Sequence, residues 1–414
     1  MLNYEALRAG RRSHLNPSGK CLLNILSPGF QGSSPMRAGF IICLLLLTNG
    51  MPELHAADVE TFLFAKADDT LVRHSEGSAV ELKDGRIMLV WQEFRKGSKG
   101  DSDYYPARLV SKTSADGGRT WADYRVLVEI APGDLNVFSP NLLRLQNGSI
   151  LLAFIRKHDF EKPGDQYTPT SAFALISDDD GKTFVPWSTV WDHQRKHLCN
   201  NTLKQLKSGR IILPSDRDNS APDRPDNWAC GCVYSDDNGK TWTVSENYVT
   251  LPKRGGMEPH VEELKDGRLL MVMRTMLGSV YKSESTDAGK SWSPAETLGV
   301  EAPQSCPELL KHPETGDLVL IWNAAKFDPK WFSHEGKRTP LSAAISKDGG
   351  KTWGPPKHIE TDPGSVFTNP GAFFTSQGTM FVNYWTCKYE PNGAFVAFPI
   401  HLKTAIVDSA WLLK

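Results

Sequence analysis

The sequence predicts an all-β fold, a six-bladed β-propeller of four-stranded antiparallel blades. Three observations predict it. Two short patterns recur in step along the chain, the composition is rich in turn formers and strand-friendly aromatics (34 Gly, 27 Pro, 12 Trp), and helical periodicity of any length is absent. Hydrophobic residues are 40% and charged residues 23% of 414, which excludes wholesale disorder and a coiled coil. A formal net charge of −1 gives no general drive toward nucleic acid or acidic membranes, and nucleic acid is not an expected partner.

In chain order, the first element is a leader, residues 1–56. Met36-Arg37 precede eight apolar residues, Phe40 to Leu47, and the segment closes on Leu54-His55-Ala56. One positive charge, a short apolar run and a terminal small residue read as a secretory signal peptide cut after Ala56, with Met36 as an alternative start. Eight residues are too few for a stable membrane span. The expected location is secreted or periplasmic. Removing the leader takes away five basic and two acidic residues, so the remaining 358 carry a net charge of −4. Five cysteines remain: Cys199, Cys230, Cys232, Cys306 and Cys387. They are too sparse for a disulfide scaffold and read as packing residues with at most one bridge among them.

The repeats fill residues 57–414. Six hairpins consist of an apolar strand, a glycine turn and a second apolar strand. Their turn glycines are Gly85, Gly148, Gly209, Gly267, Gly316 and Gly378, spaced 63, 61, 58, 49 and 62 residues. Five copies of Ser-x-Asp-x-Gly-x-Thr/Ser-aromatic follow the first five hairpins, beginning at Ser114, Ser177, Ser235, Ser285 and Ser346. Each unit holds strands A and B of the hairpin, then C and D around the Asp motif. Glu60–Ala65 is the expected strand that closes the ring on the last blade. The Asp motif reads as a turn clip: the carboxylate accepts local backbone N–H groups and glycine supplies positive φ. Topology puts both turns at one end of each blade. The starts of the A strands, the ends of the B strands and the B–C loops share the other end, where chemistry is expected.

That end is dense in charge. The A strands begin with Arg73-His74-Ser75-Glu76, Ser139-Pro140-Asn141, Asn200-Asn201, Glu258-Pro259-His260, Cys306-Pro307-Glu308 and Thr368-Asn369. The B strands and following loops add Arg95, Asp101, Asp103, Arg156, His158, Asp216, Arg274, Arg338, Tyr384 and Trp385. Guanidinium groups gathered on one rim suit a carboxylate, which they bind as a bidentate fork.

The Asp motifs, the blade count and these flanking residues resemble the sialidase (neuraminidase) superfamily of glycoside hydrolases, over roughly residues 58–414. The resemblance implies that Arg73, Arg274 and Arg338 clamp a substrate carboxylate, that Asp103 is the general acid/base, and that Glu258 activates the nucleophile. Arg95, Arg156 and His260 are added as substrate-binding candidates. The family nucleophile is a tyrosine near the start of the last blade. Here Val366–Gly371 holds none, and Tyr384 is the candidate in its place. The implied function is exo-acting hydrolysis of a terminal acidic sugar, such as sialic acid, by an exported monomer. The alternatives are a non-catalytic carbohydrate-binding propeller and a polysaccharide lyase on the same fold. No nucleotide loop, zinc-finger spacing or EF-hand occurs, so no cofactor or metal is expected.

Overall fold

The computed structural model describes residues 58–97, 102–162, 165, 167–331, 333–390 and 398–414. The leader and Asp101 fall outside them. Six antiparallel sheets are arranged around one axis. The first blade runs Leu71–Glu81, Ile87–Arg95, Ala107–Ser114 and Ala122–Val128. The second runs Asp134–Arg144, Ile150–His158, Thr170–Ser177 and Val185–Gln194. In the third, Ile211–Asp218 and Trp228–Ser235 form the centre, and the innermost and outermost strands are each broken into two short pieces. The fourth begins Met257–Glu263 and Leu269–Arg274, the fifth Glu308–Lys311 and Leu318–Asn323. The sixth joins Ser365–Phe374, Thr379–Lys388 and His401–Asp408 to Val59–Ala65 from the start of the described chain. The pairing Val59 with Val407 through Ala65 with Leu402 closes the ring as expected from the sequence. Closure leaves no innermost or lateral blade without a neighbour.

The unbroken apolar runs have a direct cause. Ile87, Met88, Leu89, Val90 and Trp91 are all 1% exposed or less. Along this B strand the side chains alternate: Met88 and Val90 join the cluster shared with the second blade, Leu89 and Trp91 the cluster shared with the sixth. One such cluster lies between each pair of adjacent blades, six in all among the described residues. Both faces of every sheet are therefore buried, and each large side chain contributes roughly 1.5–3 kcal/mol relative to exposure.

The turns follow the sequence reading. In the Asp motif the Ser114 hydroxyl bonds Asp116 and accepts the Gly118 amide, while the Thr120 amide donates to Asp116. The same three bonds recur at Asp179, Asp237, Asp287 and Asp348. The motif is a self-contained clip.

At the opposite end the innermost strands are bulged. Register breaks occur between Ser75 and Ser78, Phe138 and Asn141, Met257 and His260, and Thr368 and Gly371. Inside them Glu76, Ser139, Glu258 and Asn369 have φ of +39°, +53°, +48° and +50°. Positive φ at non-glycine residues costs about 1–3 kcal/mol each. A bulge re-aims a side chain that a regular pleat would bury between blades.

Candidate functional site

The four bulged residues open onto one chamber of about 600 Å³, lined by residues of all but the fifth blade's strands. It holds Arg73, Arg274 and Arg338 together, along with Glu76, Asp103, Lys157, Asp216, Arg254 and Glu258. No residue of an Asp motif lines it. The three arginines of the sequence reading thus converge, although 201 and 64 residues separate them in turn.

The Arg73 guanidinium sits over the Phe94 ring, its Cζ 4.5 Å from the centroid. It donates to Asp103 at 2.5 Å, to Glu76 at 2.8 Å and to the Ser75 hydroxyl at 2.8 Å. Asp103 is inside the protein envelope, yet its side chain keeps 51% of its accessible surface, open to the chamber. Burial pushes its pKa up, but Arg73 and Lys157 outweigh this and hold it well below the usual carboxylate range. Burial also raises Glu76, against the pull of Arg73.

On the fourth blade, Arg274 donates to Glu258 at 2.8 Å. Burial raises the Glu258 carboxyl, and Arg274 reverses that to a net lowering. Arg338 donates through Nε and Nη2 to the Gln304 carbonyl at 3.2 and 2.8 Å. Burial and the neighbouring Arg274 bring Arg338 down to about 9. Two guanidinium groups that repel each other in a buried wall form a site complementary to an anion.

Asp216 lies near the end of the third blade's B strand and accepts the Glu258 amide at 2.8 Å. It is 1% exposed, and burial lifts its pKa to about 7. Beside it, Tyr167 donates to Asp226 at 2.6 Å and accepts from Arg254 at 2.7 Å. Arg254 and Asp226 also pair directly at 2.6 Å. His197 is kept neutral by burial and Lys157, its pKa lowered to about 3.

Four sequence candidates lie elsewhere. Tyr384 is fully buried in the cluster between the fifth and sixth blades, and its hydroxyl donates to Glu360 at 2.7 Å. Strand alternation sends the next residue, Trp385, to the chamber instead. Arg156 makes the same one-residue miss: it pairs with Asp134 at 3.0 Å outside, while Lys157 faces in and donates to the Asp103 carbonyl at 3.1 Å. Arg95 is exposed at the end of its strand and does not line the chamber. His260 is fully buried beside Cys306 and Glu308, also outside the lining. The tyrosines at the chamber are Tyr104 and Tyr167, neither from the last blade. Sequence reasoning placed Glu76 on the rim without giving it a role and left out Lys157, Asp226, Arg254 and Tyr167. Glu76-Gly77, on the same footing as Glu258-Pro259 in the repeat register, was the available signal for Glu76.

Comparison with known proteins places this architecture. A family model described as a BNR repeat-like domain matches residues 139–382. A sialidase of Bacteroides fragilis (strain YCH46) is 26% identical over 276 residues, 61% of this chain and 49% of that protein. A sialidase of Paraclostridium sordellii is 29% identical over 246 residues, 52% of this chain and 56% of that one. The chain thus spans about half the length of these curated relatives. Among solved structures, a protein of unknown function from Dyadobacter fermentans DSM 18053 aligns with a TM-score of 0.66 at 21% identity, covering 85% of this chain and 99% of that one. The Hadza microbial sialidase Hz136 aligns with a TM-score of 0.63 at 19% identity, covering 85% and 69%. At these identities the solved structures speak for the fold. With the family model spanning more than half of the sequence on a six-bladed ring, this chain belongs to the BNR repeat-like domain family of the sialidase superfamily.

Proposed function

We propose that the protein is an exported, monomeric exo-glycosidase that cleaves a terminal acidic sugar, of the sialic acid or uronic acid class, held through its carboxylate. The observation that carries this reading is the convergence of Arg73, Arg274 and Arg338 on one chamber, where burial and Arg274 bring Arg338 below its ordinary range. Sialidases among the relatives support a glycan substrate. Among the described residues, no helix is long and apolar enough to cross a membrane.

In this reading Asp103 is the acid/base. It is ionised while Arg73 holds it. A substrate carboxylate that competes for Arg73 weakens that hold, so binding itself lifts Asp103 toward the protonated form that a leaving oxygen requires. Glu258, ionised beside Arg274, acts as the base. With no last-blade tyrosine among the described residues that line the chamber, it activates a water, and the reaction inverts the anomeric centre. One observation favours a second reading: Arg73 already has two carboxylate partners, which suits a propeller that binds acidic glycans without cleaving them.

A panel of sialosides and uronides, with released sugars identified by NMR, separates the two. Hydrolysis of an acidic glycoside with inverted product supports the first; retained binding without turnover supports the second. Arg274→Ala is expected to weaken acidic-sugar binding by about 10–100-fold in calorimetry with unchanged circular dichroism, the scale of one charged hydrogen-bonding pair. Unaltered affinity rules out the clamp.

A further inference from the structure

The A strands of the third, fourth and fifth blades bring a second cluster together near the axis, next to the chamber and outside the chemistry proposed for it. Cys199 Sγ lies 3.0 Å from Cys306 Sγ, and Cys306 Sγ lies 3.8 Å from His260 Nε2. One donor atom from each of the three falls within 4.8 Å of the others. Cys199 is 3% exposed, Cys306 1% and His260 0%. The other polar contacts of the thiols are long, to Asn200 Oδ1 and the Pro307 carbonyl at 3.6 Å each. Two sulfurs at 3.0 Å are inside the roughly 3.5–4.0 Å at which non-bonded heavy atoms settle, so two neutral thiols alone leave this contact compressed.

His260 supplies a second, independent sign. Its Nδ1 lies 3.5 Å from Glu308 Oε1, and both atoms are buried without a hydrogen bond of good geometry. Glu308 is itself 0% exposed. A carboxylate on one ring nitrogen with the other aimed at two sulfurs is the arrangement that fixes a histidine's tautomer for metal ligation.

We propose that Cys199, Cys306 and His260 bind a divalent cation of the zinc class, with Glu308 orienting the imidazole from behind. Two thiolates, an imidazole and a borderline-soft tetrahedral ion are matched in donor type, at bond lengths of about 2.3 Å to sulfur and about 2.0–2.1 Å to nitrogen. Binding releases to solvent the protons held by the two thiols and by His260 Nε2, leaving two thiolates and a neutral imidazole as donors. The two thiolates then cancel the ion's double charge, so the ion together with its three ligands is neutral. Widening the sulfur pair to its tetrahedral separation takes a shift of under about 1 Å. Cys199 also lines the chamber, so the cluster borders it. The three donors come from the starts of the innermost strands of three successive repeats, 61 and 46 residues apart, a spacing no zinc-finger pattern describes.

The test uses the reduced full chain, titrated with Co(II) and then Zn(II). One equivalent of Co(II) is expected to give thiolate-to-metal charge-transfer absorption in the near ultraviolet and intense tetrahedral bands in the visible, bleached by Zn(II), with protons released on binding. Cys199→Ser and Cys306→Ser are expected to abolish the charge-transfer band, and Cys230→Ser to leave it intact. Glu308→Gln is expected to weaken Zn(II) binding by about 10–100-fold while keeping the band, the signature of a positioning residue. If the serine variants misfold, the wild-type titration decides alone. Absence of the band in folded, reduced protein overturns the proposal. So does a purified chain two hydrogens lighter with a peptide linking Cys199 to Cys306, which marks a disulfide instead.

Discussion

At the scale of single residues, the site is built by two opposing devices. Regular pleat decides which of two neighbours sees the chamber: Lys157 rather than Arg156, Trp385 rather than Tyr384. The bulges then break that pleat at Glu76, Ser139, Glu258 and Asn369 and turn those side chains to the same place. Asp216 makes a measurable case. Folded, burial lets it keep its proton up to about pH 7, whereas unfolded it releases it near about 3.9. Its contribution to stability is therefore fully present below about pH 4 and is lost as pH rises toward 7. Glu258 adds to the lift, and Arg274 and Arg254 oppose it. Asp216→Asn is expected to remove this dependence. Its melting temperature, relative to wild type, should rise by a few degrees between pH 5 and pH 8 in thermal unfolding. A constant offset across that range contradicts the assignment.

At the scale of elements, each blade separates stability from chemistry by end. The Asp motif ties its own turn and reaches no part of the chamber. At Asp237, burial pushes the carboxyl up, and the Thr241 hydroxyl and amide more than reverse this, leaving it at about 2. That group's stabilisation is present above about pH 4 and is lost as pH falls toward 2. Asp237→Asn is expected to lower the melting temperature by a few degrees at pH 7 and to flatten the acid limb, with glycan binding unchanged. Loss of binding in a folded variant would put the motif at the functional end. These elements were legible because their signals are local: Gly85 at φ +83° and the Ser114-Asp116-Gly118 bonds need only nearby residues. The bulges were not, because pairing register depends on the partner strand.

At the scale of the whole molecule, the ring is held by six similar inter-blade clusters and one non-covalent seam, Val59–Ala65 on His401–Asp408. Arg119 on the first blade also bonds Glu60 of that closing strand, so the seam is tied to the first blade as well as the last. Deleting residues 57–65 leaves the edge of His401–Asp408 unpaired and uncovers the cluster around Trp91. The truncated chain is expected to elute as oligomers in size-exclusion chromatography and to melt several degrees lower. A monomer of wild-type stability would mean that the seam is dispensable.

By itself the sequence determined the blade count, the turn chemistry, the closing strand and the arginines at one end, because a repeat of about 60 residues makes equivalent positions equivalent in space. Tertiary structure alone decided which side chains meet. Arg338 against Arg274, and Cys199 against Cys306 and His260, are pairings across blades, while Arg73 meets Glu76 over a bulge of its own strand and Asp103 from the loop of its own blade. Whether each faces chamber, axis or core turns on a pleat of period two and a bulge of one residue, and neither is set until the neighbouring strand is in register.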